Sequence, residues 1–217
     1  MLTAYIQQVV TENNGLEEPA ATRDRLKDRF PKGATRRMTQ LGMVIGAVLE
    51  PLSPNESDTL VYASEYAESR ALEAYLDSFP TASPTLFQTS IHPSAVQQFL
   101  IQRQQPVGSL FPMTGRSHLG GQALQVALLA PTPRAIVCGG EERGTWLLEA
   151  NAASARTFAF ALSITRNAEG AIGQISLDPA CVGREELSLG TLFEALHARA
   201  SLLRESEGRA WFSLRWS

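Results

Sequence analysis

Residues Ser83–Trp146 decide the fold prediction, and they read SPTLFQTSIHPSAVQQFLIQRQQPVGSLFPMTGRSHLGGQALQVALLAPTPRAIVCGGEERGTW. Four parts follow one another: an SPxxF loop, a TSxH segment that enters a helix over Ser94–Gln102, a polar turn, and an apolar strand ending in GGEE. Between the turn and the strand, Leu119–Leu129 is apolar nearly all round, which predicts a helix buried within the domain. Ala135–Gly139 is a short apolar run, which predicts a buried strand.

The residues before this stretch predict further strands and helices. Leu2–Val10 favours a first strand or turn, and the polar segment Thr11–Lys32 favours a loop or solvated arm. Arg36–Leu49 carries apolar residues at the spacing of one helix face. Thr59–Ser64 predicts a strand, and Glu65–Phe79 returns to a helical pattern.

The residues after the stretch complete an α/β pattern. Arg156–Thr165 and Ile172–Asp178 predict two strands joined as a hairpin. Leu187–Leu203 predicts a helix, and Ala210–Trp216 a final strand with alternating aromatics. Alternating strands and helices indicate a layered α/β fold. At 217 residues we expect a single domain over residues 1–217, in which residues 1–35 could form a mobile or basic arm.

Composition excludes several classes of protein. A net charge of −3 argues against nucleic acid as the main partner, since phosphate binding rests on a basic face. Cys138 and Cys181 form neither a CxxC nor a metal-ligand spacing, and no phosphate-binding glycine loop is present. No signal peptide and no apolar run of about 20 residues is found. We therefore expect a soluble cytoplasmic protein with no membrane span, cofactor or metal.

Ser117 lies in the turn before Leu119, at the predicted N-terminus of the buried helix. A nucleophile at a helix N-terminus gains from the helix dipole and from main-chain N–H donors that can hold an oxyanion. A thiolate uses this setting directly, whereas a serine hydroxyl needs a general base. Ser117 could equally be an ordinary helix cap.

Two histidines are candidates beside Ser117. His118 follows it directly, and adjacent helix residues point to different faces, so a capping role is favoured over a Ser–His dyad. His92 stands before Pro93 at a predicted helix entrance. It either bonds the loop backbone or lines the same pocket as Ser117.

A serine hydrolase or acyltransferase is the alternative enzyme hypothesis. Gly115–Gly121 is one residue away from the GxSxG nucleophile elbow, and Asp178 and His197 follow Ser117 in the order that such enzymes use. The elbow requires glycine where this chain has leucine, and Pro112 makes the preceding segment a poor strand. Otherwise Asp178 is a turn residue and His197 a solvated one.

Charged residues give two further expectations. Glu141 and Glu142 are adjacent at a strand end, where carboxylates are usually solvated. A run of seven basic residues comes near the N-terminus and is either a solvated face or a docking surface: Arg23, Arg25, Lys27, Arg29, Lys32, Arg36 and Arg37.

Residues from Arg36 to Thr165 resemble the active-site half of a β-ketoacyl synthase, in the thiolase superfamily. The resemblance is carried by the RRM at Arg36–Met38, the SPxxF and TSxH segments, and the strand that ends in GGEE. Placing GGQALQVALL on the family's nucleophile helix puts Ser117 where the family has its acyl-accepting cysteine. The resemblance implies a thiolase-like half-fold, a mixed sheet with helices packed on its faces.

The same resemblance implies an accessory role. The family's decarboxylation chemistry uses two histidines from a second half of the fold, and this chain ends where that half would begin. His92, His118 and His197 match none of those motifs. The chain looks most like stand-alone ketosynthase N-terminal-like domains of the chain-length-factor type, in polyketide and aryl-polyene pathways. That implies a protein without condensing activity beside a fatty-acid or polyketide synthase.

Partners are implied in the same way. A lone half must cover the surface that its second half would occupy, either with Leu187–Leu203 or with a partner. The family's dimers form through this half, so a homodimer or a heterodimer with a full-length ketosynthase is expected. The basic run could meet an acidic acyl carrier protein, because charge complementarity speeds encounter. A purely structural interaction module without an acyl pocket is the third hypothesis.

Overall fold

The computed structural model describes residues 1–217 and contains one mixed sheet of eight strands. The strands are β1 (Leu2–Gly15), β2 (Asp58–Ser64), β3 (Ser109–Thr114), β4 (Arg134–Glu141), β5 (Thr157–Thr165), β6 (Gly173–Leu177), β7 (Leu202–Ser206) and β8 (Arg209–Trp216). Their order across the sheet is β3-β2-β4-β5-β1-β6-β8-β7. β3, β2 and β4 are parallel, and every other neighbouring pair is antiparallel.

Helices cover both faces of this sheet. They are α1 (Pro19–Leu26), α2 (Gln40–Leu49), α3 (Ser69–Leu76), α4 (Pro84–Thr89), α5 (Ser94–Arg103), α6 (Leu119–Leu129), α7 (Trp146–Glu149) and α8 (Leu189–His197). α6 and α8 pack in the core on one face, and α2 and α5 pack in the core on the other. The predicted α/β class, a mixed sheet with helices on its faces, is confirmed. None of the helices has the length and apolarity that crossing a bilayer requires.

The helix bounds follow from local signals. Thr39 caps α2 by accepting the N–H of Gly42, and Ser188 caps α8 by accepting the N–H of Thr191. All ten residues of α2 are buried, so α2 lies between the sheet and α5. α6 has the predicted bounds, and its apolar surface packs against the sheet and α8.

The N-terminal segment differs from the prediction. β1 continues to Gly15 and lies between β5 and β6, and α1 follows it, so the expectation of a loop or arm over Thr11–Lys32 is wrong. Its polar residues did not look like a strand. Thr11–Gly15 pair with β5 alone, whereas β6 pairs only with Leu2–Ile6, and the hydrogen bonds to β5 are what let these polar residues extend the strand.

Three C-terminal and central predictions also need correction. β5 and β6 do not form a hairpin, because β1 is inserted between them. The helix predicted over Leu187–Leu203 ends at His197, and Leu202 begins β7. The segment judged a poor strand because of Pro112 forms β3, which is possible because β3 lies at the sheet edge.

Candidate functional site

The parallel strands bring the candidate residues to one edge of the sheet. β2, β3 and β4 run in the same direction, so the loops that leave Ser64, Thr114 and Glu141 emerge together. Ligand sites of open α/β sheets lie at such carboxyl ends. Ser117 follows β3, and Glu142 follows β4. We call the end of the sheet at which β2, β3 and β4 terminate the carboxyl edge, and this is the candidate site.

Glu141 joins the ends of β4 and β2. Its side chain is buried, and it accepts hydrogen bonds from Glu65 N at 2.5 Å, Ser64 Oγ at 3.0 Å and Tyr66 N at 3.3 Å. Burial raises the pKa of Glu141 to about 8, although these donors oppose the rise. Glu65 in turn accepts the N–H of Leu189 at 2.6 Å, which ties the same loop to α8.

Glu142 turns to the opposite face of the sheet. It accepts the N–H of Leu41 at 3.0 Å, in the first turn of α2. Burial raises the pKa of Glu142 to about 7. The expectation that Glu141 and Glu142 are solvated is therefore wrong: only 2% and 7% of these two residues are exposed. Each is buried because main-chain N–H groups of neighbouring elements bind it.

A third buried carboxylate holds the loop after β4. Glu73 on α3 is fully buried and accepts the N–H groups of Thr145 and Leu147, the latter at 2.7 Å. Burial alone would raise its pKa, but these donors and Arg70 lower it below the ordinary value. The lowered pKa favours the ionised form of Glu73, whereas the raised pKa values of Glu141 and Glu142 favour their protonated forms.

His92 belongs to a buried polar group beside β2. Its Nδ1 donates to Glu68 Oε2 at 2.9 Å, and its ring stacks on Tyr62 with centroids 5.0 Å apart. His92 Nε2 and the Tyr62 hydroxyl are buried and have no hydrogen-bond partner. Burial raises the pKa of Tyr62 well above its ordinary value. No hydrogen bond joins His92 to Ser117.

Ser117 lies half-buried in the turn between β3 and α6, and its hydroxyl makes no hydrogen bond within the protein. His118 Nδ1 donates to the carbonyl oxygen of Glu185 at 3.0 Å, so this ring is tied to another loop. The Arg116 guanidinium lies 5.1 Å from the Tyr66 ring centroid, which connects the Ser117 turn with the loop after β2. The structure therefore contains no Ser117–His118 dyad.

The N-terminus of α6 has few free donors. The Leu187 carbonyl accepts the N–H groups of Gly120 at 2.9 Å and Gly121 at 3.4 Å, and Leu119 N donates to Arg116 O. The N–H groups of Ser117 and of the residue after it have no acceptor. Any oxyanion at this turn would have to use those two donors.

The alternative triad is not assembled. The Asp178 carboxylate accepts the N–H of Ala180 at 3.1 Å. His197 Nδ1 lies 3.0 Å from Thr11 Oγ1, and its ring stacks on Phe193. No hydrogen bond joins Ser117, Asp178 or His197 to either of the others, so the structure does not bring the three together as a triad.

Cysteines and metal ligands contribute nothing further to the site. Cys138 is buried in β4 as predicted, and burial raises the pKa of its thiol. No group of three or more His, Cys, Asp or Glu side chains is arranged to hold a metal ion. The residues that sequence reasoning missed are the buried carboxylates. The signal in the sequence was their position after the apolar run Ala135–Cys138, from which only Gly139 and Gly140 separate them.

The comparisons with known proteins agree with this architecture. No protein-family model and no curated protein matches the sequence. The chain is similar to a structure of the ketosynthase ApeO in complex with its chain length factor ApeC from Xenorhabdus doucetiae, with a TM-score of 0.68 and 18% identity over 100% of both chains. It is also similar to the ishigamide ketosynthase/chain length factor, with a TM-score of 0.57 and 9% identity over 82% of this chain and 68% of that one. The predicted resemblance to a thiolase-like half-ketosynthase is thereby confirmed at the level of the fold.

Proposed function

We propose that this chain is a non-condensing, ketosynthase-like accessory subunit that assembles with a complete ketosynthase in a cytoplasmic fatty-acid or polyketide pathway, of the aryl-polyene type or a related one. One observation carries the proposal. The chain has a ketosynthase-type fold over its whole length, yet at the predicted nucleophile position it has Ser117, whose hydroxyl is bonded to no base.

The chemistry of Ser117 supports a role without condensation. A serine hydroxyl becomes a nucleophile only when a positioned base removes its proton. His118 is tied to the Glu185 carbonyl and His92 to Glu68, so neither is bonded to Ser117. The proposed role is therefore to bind and position partner proteins.

β3 is the proposed surface for the ketosynthase. It is the outermost strand on its side and pairs only with β2, so one edge of its main chain is free. Phe111 on β3 is 46% exposed, and Leu110 and Met113 are half-buried. A free strand edge with exposed apolar side chains is a template for a strand of another chain. The complex of a ketosynthase with its chain length factor among the similar structures supports a heterodimer of this kind.

A basic surface is the proposed docking site for an acyl carrier protein. Arg23, Lys27, Lys32 and Arg36 line one open depression near the N-terminus, together with Asp24 and Asp28. Arg25 and Arg29 point elsewhere and pair with glutamates such as Glu12. The depression therefore keeps an excess of positive charge, which attracts an acidic partner.

The test compares two exposed apolar residues on opposite edges of the sheet. Phe111 lies on β3, and Leu203, which is 50% exposed, lies on β7. The chain is co-expressed with the ketosynthase of its pathway and the complex is measured by native mass spectrometry. We expect Phe111→Lys to abolish the heterodimer, because the lysine ammonium would be desolvated in the interface, and Leu203→Lys to leave it intact.

Circular dichroism confirms that both variants fold before the comparison is made. A Phe111→Lys protein that still binds the ketosynthase would refute the β3 interface. Wild-type protein that forms only homodimers in the presence of the ketosynthase would refute the accessory role itself.

A further inference from the structure

A polar pocket lies between α4, α5 and the 3₁₀ turn Ala34–Arg37. It has a volume of about 310 Å³. Its lining is polar except for Ile101 and includes Arg37, Thr85, Gln88, Gln97, Gln98 and Gln102. Neither the accessory role nor Ser117 makes any use of this pocket.

The polar lining of the pocket follows from the spacing of polar residues along α4 and α5. Gln97, Gln98 and Gln102 lie on one face of α5, while Val96 and Phe99 on another face are buried in the core. Gln88 on α4 lies three residues after Thr85, so these two side chains share a face as well. Two short helices thus present polar faces to the same space, in place of the apolar contact that usually joins neighbouring helices.

The polar groups of this pocket have few partners within the protein. The side chains of Arg37, Thr85, Gln88 and Gln97 are exposed and make no hydrogen bond to other protein groups. Gln98 Oε1 lies 3.4 Å from the N–H of Thr39, so its NH₂ group is the free end. The buried Gln102 Oε1 lacks a partner. The pocket therefore offers several unused carboxamide groups, and each carboxamide can both donate and accept.

The charge of the lining residues indicates what kind of ligand this pocket could bind. Arg37 is the single charged residue that lines the pocket, and it forms no ion pair. A guanidinium pairs with a carboxylate or a phosphate through charge-assisted hydrogen bonds. We propose that this pocket binds a small ligand with one terminal oxyanion, carboxylate or phosphate, held by Arg37, and with adjacent amide groups held by the glutamines of α4 and α5.

Three probes test the proposal in NMR titrations that follow the glutamine NH₂ signals. They are acetyl-Ala-Ala with a free carboxylate, phosphorylated N-acetylethanolamine, and the uncharged amide of acetyl-Ala-Ala. We expect one of the oxyanion probes to bind and to shift the NH₂ signals. The uncharged amide should bind with an affinity at least about tenfold lower, because it cannot make the charge-assisted hydrogen bond. The carboxylate and phosphate arms distinguish a peptide-like acid from a phosphorylated amide.

Two neighbouring arginines provide the matched control. Arg36 is exposed and lies beside Arg37 on the same turn, but it lines the basic depression instead. Arg37→Gln should weaken the bound probe about tenfold, and Arg36→Gln should leave it unchanged. Gln97→Glu, at an exposed position, should abolish binding by charge repulsion. Equal losses in the two arginine variants, equal affinity for the uncharged amide, or no binding of either oxyanion probe at millimolar concentration would each overturn the proposal.

Discussion

Glu142 shows at the scale of one residue how burial makes stability depend on pH. Its pKa is raised to about 7 in the fold by burial, from 4.5 for an ordinary glutamate. Between these two values the folded protein holds a proton that the unfolded chain has released. The free energy of unfolding therefore falls as the pH rises through this window, by roughly 3 kcal/mol for this group, and is constant above it.

Glu142→Gln tests this sign. The amide keeps an oxygen that can accept the N–H of Leu41, but it cannot ionise. We expect the unfolding free energy of the variant, from urea titrations across the window, to fall less steeply with pH than that of the wild type. The exposed Glu149→Gln is the control and should keep the wild-type slope. An unchanged slope in Glu142→Gln would show that Glu142 is ionised throughout.

Ser117 gives a second prediction at this scale. Because no base contacts its hydroxyl, incubation with acyl-carrier-protein thioesters should add no acyl group, and the intact mass should be unchanged in wild type and in Ser117→Ala alike. A complete ketosynthase treated in parallel supplies the positive control. An adduct on the wild type that disappears in Ser117→Ala would instead make Ser117 a working nucleophile.

At the scale of the element, α6 contains two adjacent glycines, and the packing of the helix requires glycine at only one of them, Gly120. A Cβ on Gly120 would lie 2.7 Å from the Leu187 carbonyl oxygen and 3.0 Å from the Ser188 carbonyl oxygen. A Cβ on Gly121 would meet the Trp211 ring at 3.8 Å and the Leu187 Cβ at 3.9 Å, both ordinary contacts. The helix can therefore approach the loop before α8 only through Gly120.

The pair of alanine variants measures this contact. Gly120→Ala should lower the unfolding free energy by about 1–3 kcal/mol, since main-chain atoms must shift. Gly121→Ala should leave it unchanged or raise it by about 0.5–1 kcal/mol, since alanine is the better helix former. Thermal unfolding of both proteins gives the comparison. Equal changes in unfolding free energy at the two sites would mean that the loop before α8 can shift at little cost.

Elements with a strong local pattern were predictable, and those stabilised by distant partners were not. Leu119–Leu129 has the predicted bounds because its apolar residues need burial wherever the chain places them. The extension of β1 over Thr11–Gly15 and the strand β3 were missed because their residues look polar or contain Pro112, and only pairing with β5 and with β2 makes them strands. The hairpin between β5 and β6 failed for the same reason, since an inserted strand leaves no mark in the local sequence.

At the scale of the whole molecule, helices cover both faces of the sheet, and one of these faces carries α6 and α8. α8 packs its buried residues Leu192, Phe193 and Leu196 beside α6 on that face. Whether Leu187–Leu203 or a partner covers the surface of a missing second half stays a prediction, and the helix in this region spans only Leu189–His197. The sheet edges at β3 and β7 stay free, and β3 is the one where we place the ketosynthase.

The basic depression gives a prediction at the same scale. The double variant Lys32→Glu/Arg36→Glu should slow association with an acyl carrier protein and reduce its salt dependence, because long-range attraction depends on the summed charge. Arg204→Glu/Arg209→Glu changes the net charge equally, at exposed positions on β7 and β8, and should have little effect. Stopped-flow association rates at two salt concentrations decide between them. Equal slowing would mean that only net charge matters.

The sequence by itself determined the α/β class, the buried helix Leu119–Leu129 and the buried strand around Cys138, because these depend on side-chain type and local periodicity; Ser117 as the nucleophile position followed from the family resemblance. Only the tertiary structure decided the surroundings of that turn. Burial of Glu141 and Glu142, the separation of Ser117 from His197, and the free edge of β3 all depend on which distant elements become neighbours. The physical reason is that desolvation and main-chain pairing are properties of the packed molecule, and residues far apart in sequence supply them.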